Sequence, residues 1–307
     1  MSEGFLRAGV IGAGVFGGYH AKQYARLDGV VLSAVLDPHP ERAAALAVPL
    51  GGRAFHDLED FLAEVDVVTI ASPASHHAEQ ALAAIAAGKP VYVEKPVATN
   101  MADARRLAEA AAGAGVIVAC GHQERVVFQA MGLLEIPEQP LSLEALRHGP
   151  PSDRSRDVSA VLDLMIHDID LALAISAAGT WTVAGTESHT GPDGVWDEVR
   201  TELVLDSGFQ ARFDVSRHAP ARRRTMKVTY PSGEVEIDFV ARTFRNTTPF
   251  GLDPDFAETP AGRDPLGASV ESFLDAARGR SPRPVVTLAE AIRALDAALA
   301  VEAAASR

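Results

Sequence analysis

The chain has 307 residues, 47% hydrophobic and 22% charged, which is enough apolar material for two domains of ordinary size, each with its own core. With 28 basic against 41 acidic residues the net charge is −13, which disfavours nucleic acid as a partner and points to a small molecule. One cysteine, Cys120, excludes an intrachain disulfide and agrees with a reducing compartment, so the cytoplasm is the expected location.

From Phe5 to Cys120 short apolar runs alternate with alanine-rich helical segments, the pattern of βαβ units that build a parallel sheet. Strands are predicted at Arg7 to Ile11, Val30 to Leu36, Val67 to Ala71, Val91 to Val93 and Val116 to Cys120, with a weaker one at Arg53 to Phe55. Helices start near Val15, Pro40, Leu58, Ser75 and Met101. Ser75 and Asn100 serve as start signals, Gly88 and Gly113 as stops. The glycine-rich run Ala8 to Gly18 reads as strand plus turn rather than as a signal peptide. No apolar stretch reaches the roughly 20 residues of a membrane helix, so no membrane partner is expected.

After Gly121 the pattern changes to a helix from about Glu124 to Leu134, a proline-rich passage through Pro137 and Pro140, and the turn Gly149-Pro150-Pro151. This sets a domain boundary near 122 and divides 1–122 from 123–307. In the second part Ala160 to Ala178 is helical by period, and Thr182 to Phe239 alternates as an antiparallel sheet with turns at Gly191, Gly208 and Gly233. Two more helices are predicted near Leu266 to Arg278 and Leu288 to Ala304. The fold class is α/β: a Rossmann-type parallel sheet followed by an α+β domain with a mainly antiparallel sheet.

The first strand runs into Gly12-Ala13-Gly14-Val15-Phe16-Gly17, which is G-x-G-x-x-G between a strand and a helix. Gly12 permits the tight turn, Gly14 lets main chain approach a pyrophosphate, and Gly17 lets helix pack on strand. The helix start at Val15 and Phe16 offers N–H groups to phosphate. Asp37 ends the second strand twenty positions after Gly17, where a carboxylate accepts from both ribose hydroxyls and repels a 2′-phosphate. NAD is therefore expected as cofactor in preference to NADP. The competing reading is that Asp37 only caps the helix beginning near Pro40.

Lys95, in Glu94-Lys95-Pro96, ends the fifth strand at the sheet edge where open α/β folds bind ligands, although a lysine there is often a solvated charge. Ser72-Pro73 ends the fourth strand in the same way, and His76 and His77 open the next helix. In the second domain Asp163, His167 and Asp170 are spaced by steps of four and three. At about 100° per residue this keeps them in one sector while Asp168 turns away. No metal is expected, because no cysteine or second histidine pair completes a shell. A salt-bridged or helix-capping histidine is the plain alternative.

Taken together, Gly12-x-Gly14-x-x-Gly17 with His20, Asp37, Ser72-Pro73 with His77, Glu94-Lys95-Pro96, Gly121-His122-Gln123-Glu124-Arg125 and Asp163-x-x-x-His167-x-x-Asp170 resemble the glucose–fructose oxidoreductase / inositol dehydrogenase (Gfo/Idh/MocA) family across both halves. The resemblance implies an NAD-binding Rossmann domain (1–122) and a substrate-binding and oligomerisation domain (123–307). It also implies an open sheet in the second domain whose face joins subunits into a homodimer or homotetramer. It implies that Lys95 and His167 reach the reacting oxygen with support from Asp163, and that Ser72, Pro73, His77 and Glu94 line the cofactor. His122, Arg125 and Asp170 fall to the substrate. The chain departs from the family after Arg125, where Val126-Val127-Phe128-Gln129 replaces an Asn-Pro or similar pair.

The chemistry implied is hydride transfer between nicotinamide and a ring secondary hydroxyl or ketone of a sugar, cyclic polyol or nucleotide sugar. A base and a cation at that oxygen both lower the barrier. The run Asp163 to Asp170 resembles the form found in nucleotide-sugar oxidising members, UDP-N-acetylglucosamine 3-dehydrogenases among them. Arg217 and Arg222-Arg223-Arg224 are candidates to meet a diphosphate, or else form a charged strand edge. Two competing functions are a non-catalytic NAD and sugar sensor and a reductase of another class, acting on an imine or tetrapyrrole. Trp181, Trp196 and Phe213 read as core or interface anchors, and Cys120 as packing.

Overall fold

The computed structural model describes residues 5–151, 157–176, 179–191 and 194–306. Two compact units are present: Met1–Gly121 with Leu266–Ala291, and His122–Pro265 with Ile292–Arg307.

The first unit alternates strand and helix: β1 (Leu6–Ile11), α1 (Val15–Arg26), β2 (Val30–Leu36), α2 (Pro40–Ala47), β3 (Arg53–Phe55), α3 (Leu58–Glu64), β4 (Val67–Ile70), α4 (His77–Ala86), β5 (Val91–Val93), α5 (Met101–Ala114) and β6 (Val118–Cys120). All six strands pair in parallel in the order β3-β2-β1-β4-β5-β6. The order reverses between β1 and β4, which opens a crevice at their carboxyl ends. β4, β5 and β6 are buried throughout, as continuous apolar runs require when both faces are covered.

Local signals place most helix ends. Asn100 accepts the Asp103 N–H at 2.9 Å and starts α5, and Asp57 does the same for Asp60 at 3.0 Å at the head of α3. Two expectations are corrected. Ser75 lies inside a 3₁₀ turn, Ala74–His76, and α4 opens at His77 with no side-chain cap. Gly113 sits within α5, which ends at Gly115 in the left-handed region at φ 64°.

The second unit contains α6 (Glu124–Met131), β7 (Ser142–His148), a π turn (Val161–Met165) leading into α7 (Ile166–Ile175), then β8 (Trp181–Thr190), β9 (Trp196–Leu205), β10 (Gln210–Ser216), β11 (Arg223–Tyr230), β12 (Gly233–Asp238), β13 (Thr243–Asn246) and α8 (Pro260–Arg263). Its seven strands run β13-β12-β11-β7-β10-β9-β8, antiparallel except for the β7–β10 pair. β7 was not anticipated, because its inward positions are Leu143, Ala145 and the buried Arg147, so hydrophobic alternation breaks. The helix predicted from Ala160 closes at Ile175; its last expected residues, Ala177 and Ala178, lie outside the described residues.

α9 (Pro265–Ala277) and α10 (Leu288–Ala305) complete the chain. From Leu266 on, α9 is part of the first unit, whereas the sequence division at 122 has it in the second. Val270, Phe273 and Leu274 share a core with Tyr24 and Tyr92, and the Tyr92 hydroxyl lies 3.0 Å from Ser269 Oγ. α10 ends in the second unit, where Glu302 accepts the Ser159 hydroxyl at 2.5 Å. Ser159 Oγ in turn accepts the Val161 and Leu162 N–H groups and so starts the π turn. Among the described residues no helix is long and apolar enough to cross a membrane.

Candidate active site

In the first unit the glycine loop leaves β1 at the crevice. Gly12 has φ 99°, and a Cβ there would stand 2.8 Å from the Ala71 carbonyl group. A Cβ on Gly17 would meet the Gly12 carbonyl oxygen at 1.7 Å, so helix and loop touch without intervening side chain. Gly14 faces open space and starts α1 with no side-chain cap. The helix start is therefore available to an anion. Val15 is half exposed, and Phe16 packs edge-on against Tyr19 at 6.0 Å.

Asp37 is buried, and each of its oxygens accepts a main-chain N–H, Oδ2 from Ala13 at 2.8 Å and Oδ1 from His39 at 2.9 Å. The carboxylate thus shapes the glycine loop and braces the entry to α2 together, and each oxygen keeps a second lone pair. These residues fit a dinucleotide: a loop that excludes Cβ atoms, an uncapped helix start, and a carboxylate fixed at the end of β2 with acceptor capacity to spare.

At the ends of β4 and β5 the His77 ring ties two strand ends together, with Nδ1 2.7 Å from the Pro96 carbonyl oxygen and Nε2 2.9 Å from that of Ser72. The Ser72 hydroxyl donates to Gln80 at 2.6 Å, and Pro73 precedes the 3₁₀ turn. Glu94 points inward, 2.7 Å from Nε2 of the buried His20. Burial alone would raise the Glu94 carboxyl; His20, with Lys95 and His77, outweighs it and holds the group below its ordinary value. Lys95 follows directly, half-buried at the carboxyl end of β5.

In the second unit the polar residues of the π turn and α7 are divided among separate partners. His167 Nδ1 lies 2.7 Å from Glu124 Oε2, a close contact whose angle falls short of a hydrogen bond's. Glu124 Oε1 accepts from Arg147 at 2.8 Å, and Arg147 grips Asp168 with two further bonds of 2.9 and 2.7 Å. Burial would raise the Glu124 carboxyl, but Arg147, His167 and Arg224 hold it well below the carboxylate range. Burial likewise works against the Arg147 charge, and Asp168 and Glu124 outweigh it and raise the guanidinium above its ordinary value. The His122 ring stands edge-on to that of His167 at 5.9 Å and is itself buried.

Arg125 and Asp170, expected at the substrate, form a buried pair with bonds of 3.1 and 2.6 Å that occupies both carboxylate oxygens. That geometry supports a role in locking α6 to α7. Asp163 accepts from Arg217 at 3.0 Å, and Arg217 also reaches Asp197 at 3.3 Å. The π turn breaks the uniform 100° count between 163 and 167, because an i→i+5 turn takes more residues to go round and so fewer degrees per residue, and such turns gather at functional sites. Glu124 and Arg147 are the members of this network that lay outside the residues singled out for catalysis or binding, while Arg217 and Arg224 had been singled out only as candidates to meet a diphosphate. Among the described residues no cluster of three or more His, Cys, Asp or Glu is placed to hold a metal ion.

A dinucleotide cradle in one unit and an imidazole seated in a buried ionic network in the other belong to chemistry that moves a hydride and a proton, the class of NAD-dependent dehydrogenases. Residues 6–122 match the model of an oxidoreductase family with an NAD-binding Rossmann fold, and residues 144–236 match the GFO/IDH/MocA C-terminal domain. The chain belongs to the Gfo/Idh/MocA family. It is 34% identical to the UDP-N-acetylglucosamine 3-dehydrogenase of Acidithiobacillus ferrooxidans over 286 residues, 90% of each chain. A crystal form of that enzyme superposes with a TM-score of 0.89 at 32% identity, covering 98% of this chain and 97% of the other. The inositol 2-dehydrogenase of Cereibacter sphaeroides strain ATCC 17029 is 36% identical over 175 residues, 54% of this chain and 52% of that one.

Proposed function

We propose that the chain oxidises a ring secondary hydroxyl of a nucleotide sugar with NAD, in the manner of a UDP-N-acetylglucosamine 3-dehydrogenase. The observation that carries the substrate class is the likeness to that enzyme along 90% of both chains, against about half for the inositol dehydrogenase. When bound, NAD supplies the acceptor for the departing hydride.

The chain's own residues supply the rest. Gly12, Gly14, Val15, Phe16 and Gly17 receive the pyrophosphate, and Asp37 accepts from the ribose hydroxyls and repels a 2′-phosphate. Lys95 supplies the cation that stabilises the developing alkoxide. A nitrogen lone pair 2.7 Å from a carboxylate would be repelled, so the proton of neutral His167 sits on Nδ1 and Nε2 is left to accept the hydroxyl proton. Glu124 thereby acts as a positioning residue for His167. Asp163 stands one turn away, tied to Arg217.

The proposal includes cytoplasmic residence and assembly through the open face of the second unit's sheet, where a concavity of about 640 Å³ is lined by Leu146, Thr201 and Phe213 among others. The test mixes the protein and NAD with UDP-N-acetylglucosamine, other nucleotide sugars, free sugars and inositols, and follows absorbance of the reduced cofactor. Tight sugar and NAD binding without turnover would favour the sensor reading.

A further inference from the structure

A second concavity of the second unit, about 290 Å³, opens beside Glu124 and is walled by Val127, Ile237, Phe239 and Phe256. Three arginines line it: Arg224, Arg242 and Arg263. The carboxylates near them are largely committed. Glu124 is held by Arg147 at 2.8 Å and His167 at 2.7 Å and stands 3.8 Å from Arg224; Glu258 is taken by Arg263 at 2.7 Å; Asp168 is occupied by Arg147. Arg242 donates to two neutral acceptors, the carbonyl oxygens of Ala257 and Gly262. Its backbone, at φ 58°, is the one non-glycine left-handed residue among those described, and such outliers gather at ligand sites.

Arg224 is held by its carboxylate only at 3.8 Å, and its surroundings disfavour its charge. Its side chain is one-third exposed, and burial together with Arg147 pushes its guanidinium below the ordinary value, a repulsion that Glu124 only partly relieves. A partly desolvated guanidinium short of negative charge, facing a cavity with apolar walls, is the arrangement that takes a phosphate oxygen. The volume admits the phosphate-bearing part of a ligand rather than a whole nucleotide sugar. Because Glu124 both lines this cavity and contacts His167, an anion held by Arg224 lies in the same network as the imidazole.

We propose that this cavity is a diphosphate subsite, with Arg224 as its principal ligand-binding cation and Arg242 and Arg263 completing a positive rim. The proposal rests on the nucleotide-sugar reading and assigns the residues that would distinguish such a substrate from a free sugar or polyol.

The test is calorimetric titration of the NAD-saturated full chain with UDP, inorganic pyrophosphate, UDP-N-acetylglucosamine and N-acetylglucosamine. The unsubstituted protein is compared with Arg224→Gln, Arg224→Lys and the remote exposed control Arg106→Gln. Expected are binding of the diphosphate probes, a loss of affinity on the order of 10- to 100-fold in Arg224→Gln, a smaller loss in Arg224→Lys, and none in Arg106→Gln. Binding of UDP and pyrophosphate alike supports recognition of the diphosphate itself; binding of UDP alone, still lost in Arg224→Gln, supports a nucleoside diphosphate as its source. Equal affinity in all variants, or no binding of any phosphate-bearing probe, overturns the subsite. Turnover of inositols or free sugars with no phosphate-bearing probe bound leaves the dehydrogenase standing and removes the subsite. Arg224-dependent UDP binding without turnover of any sugar keeps the subsite and removes the enzymatic reading.

Discussion

Glu124→Gln tests the ionic network most directly, because one nearly isosteric change removes a charge that two guanidinium groups share and that the His167 ring faces. The substitution strands none of them completely: Arg147 keeps both bonds to Asp168, and Arg224 is partly solvated. The cost therefore falls below the ~3–5 kcal/mol of a broken buried pair, at about 2 kcal/mol. For a unit of this size that corresponds to about 4–8 °C in melting temperature. The sign with pH follows from Glu124 being held well below its ordinary value. Its stabilisation is full above the unfolded carboxyl value of about 4.3 and is lost as pH falls through the folded value. Melting curves of both proteins from about pH 7 to about pH 3.5 should show a gap that is constant at first and closes in acid. In parallel kcat should fall on the order of 10- to 100-fold, since Nδ1 of His167 loses its carboxylate, with NAD affinity unchanged. A gap that persists undiminished to the lowest pH, or a variant as stable and active as the parent at neutral pH, would refute the reasoning.

Lys95→Met should lower kcat by about 10² to 10⁴ while NAD still binds, as read by single-turnover absorbance and by titration; undiminished hydride transfer would favour a reductase of another class. Asp37→Ala removes the acceptor of both the Ala13 and His39 N–H groups, so NAD affinity should drop at least about 10-fold and the preference over NADP should narrow in competition binding. Gly17→Ala would drive a methyl group into the Gly12 carbonyl at 1.7 Å; urea denaturation should show a loss of roughly 1–3 kcal/mol or more, together with loss of NAD binding.

The cofactor half was legible because its signals are local. Gly12, Gly14 and Gly17 fall within six residues, Asp37 ends the next strand, and each buried strand announces itself as an apolar run. The second unit was harder because its chemistry is assembled from residues distant in sequence. Arg147 finds Asp168 21 positions on, and Asp163 finds Arg217 54 positions on. An arginine pointing into the core also hid β7, which then pairs in parallel with β10 across a long stretch of chain. The helical count that grouped Asp163, His167 and Asp170 assumed a uniform turn. The π turn after Ser159 is set by a hydroxyl shared with Glu302 from the far end of the chain, which no local pattern contains.

The return of α9 to the first unit bears on how the protein is made. When β6 leaves the ribosome, Tyr92 has no Ser269 to meet and the patch that Val270, Phe273 and Leu274 will cover is open to water. A nascent chain with every glycine of its dinucleotide loop already synthesised still has about half its length to wait before that surface closes, a long exposure in which a chaperone can bind. A gene fragment that stops at Gly121 would reproduce this unfinished state permanently, so the dinucleotide half is drawn from two separated stretches of the chain.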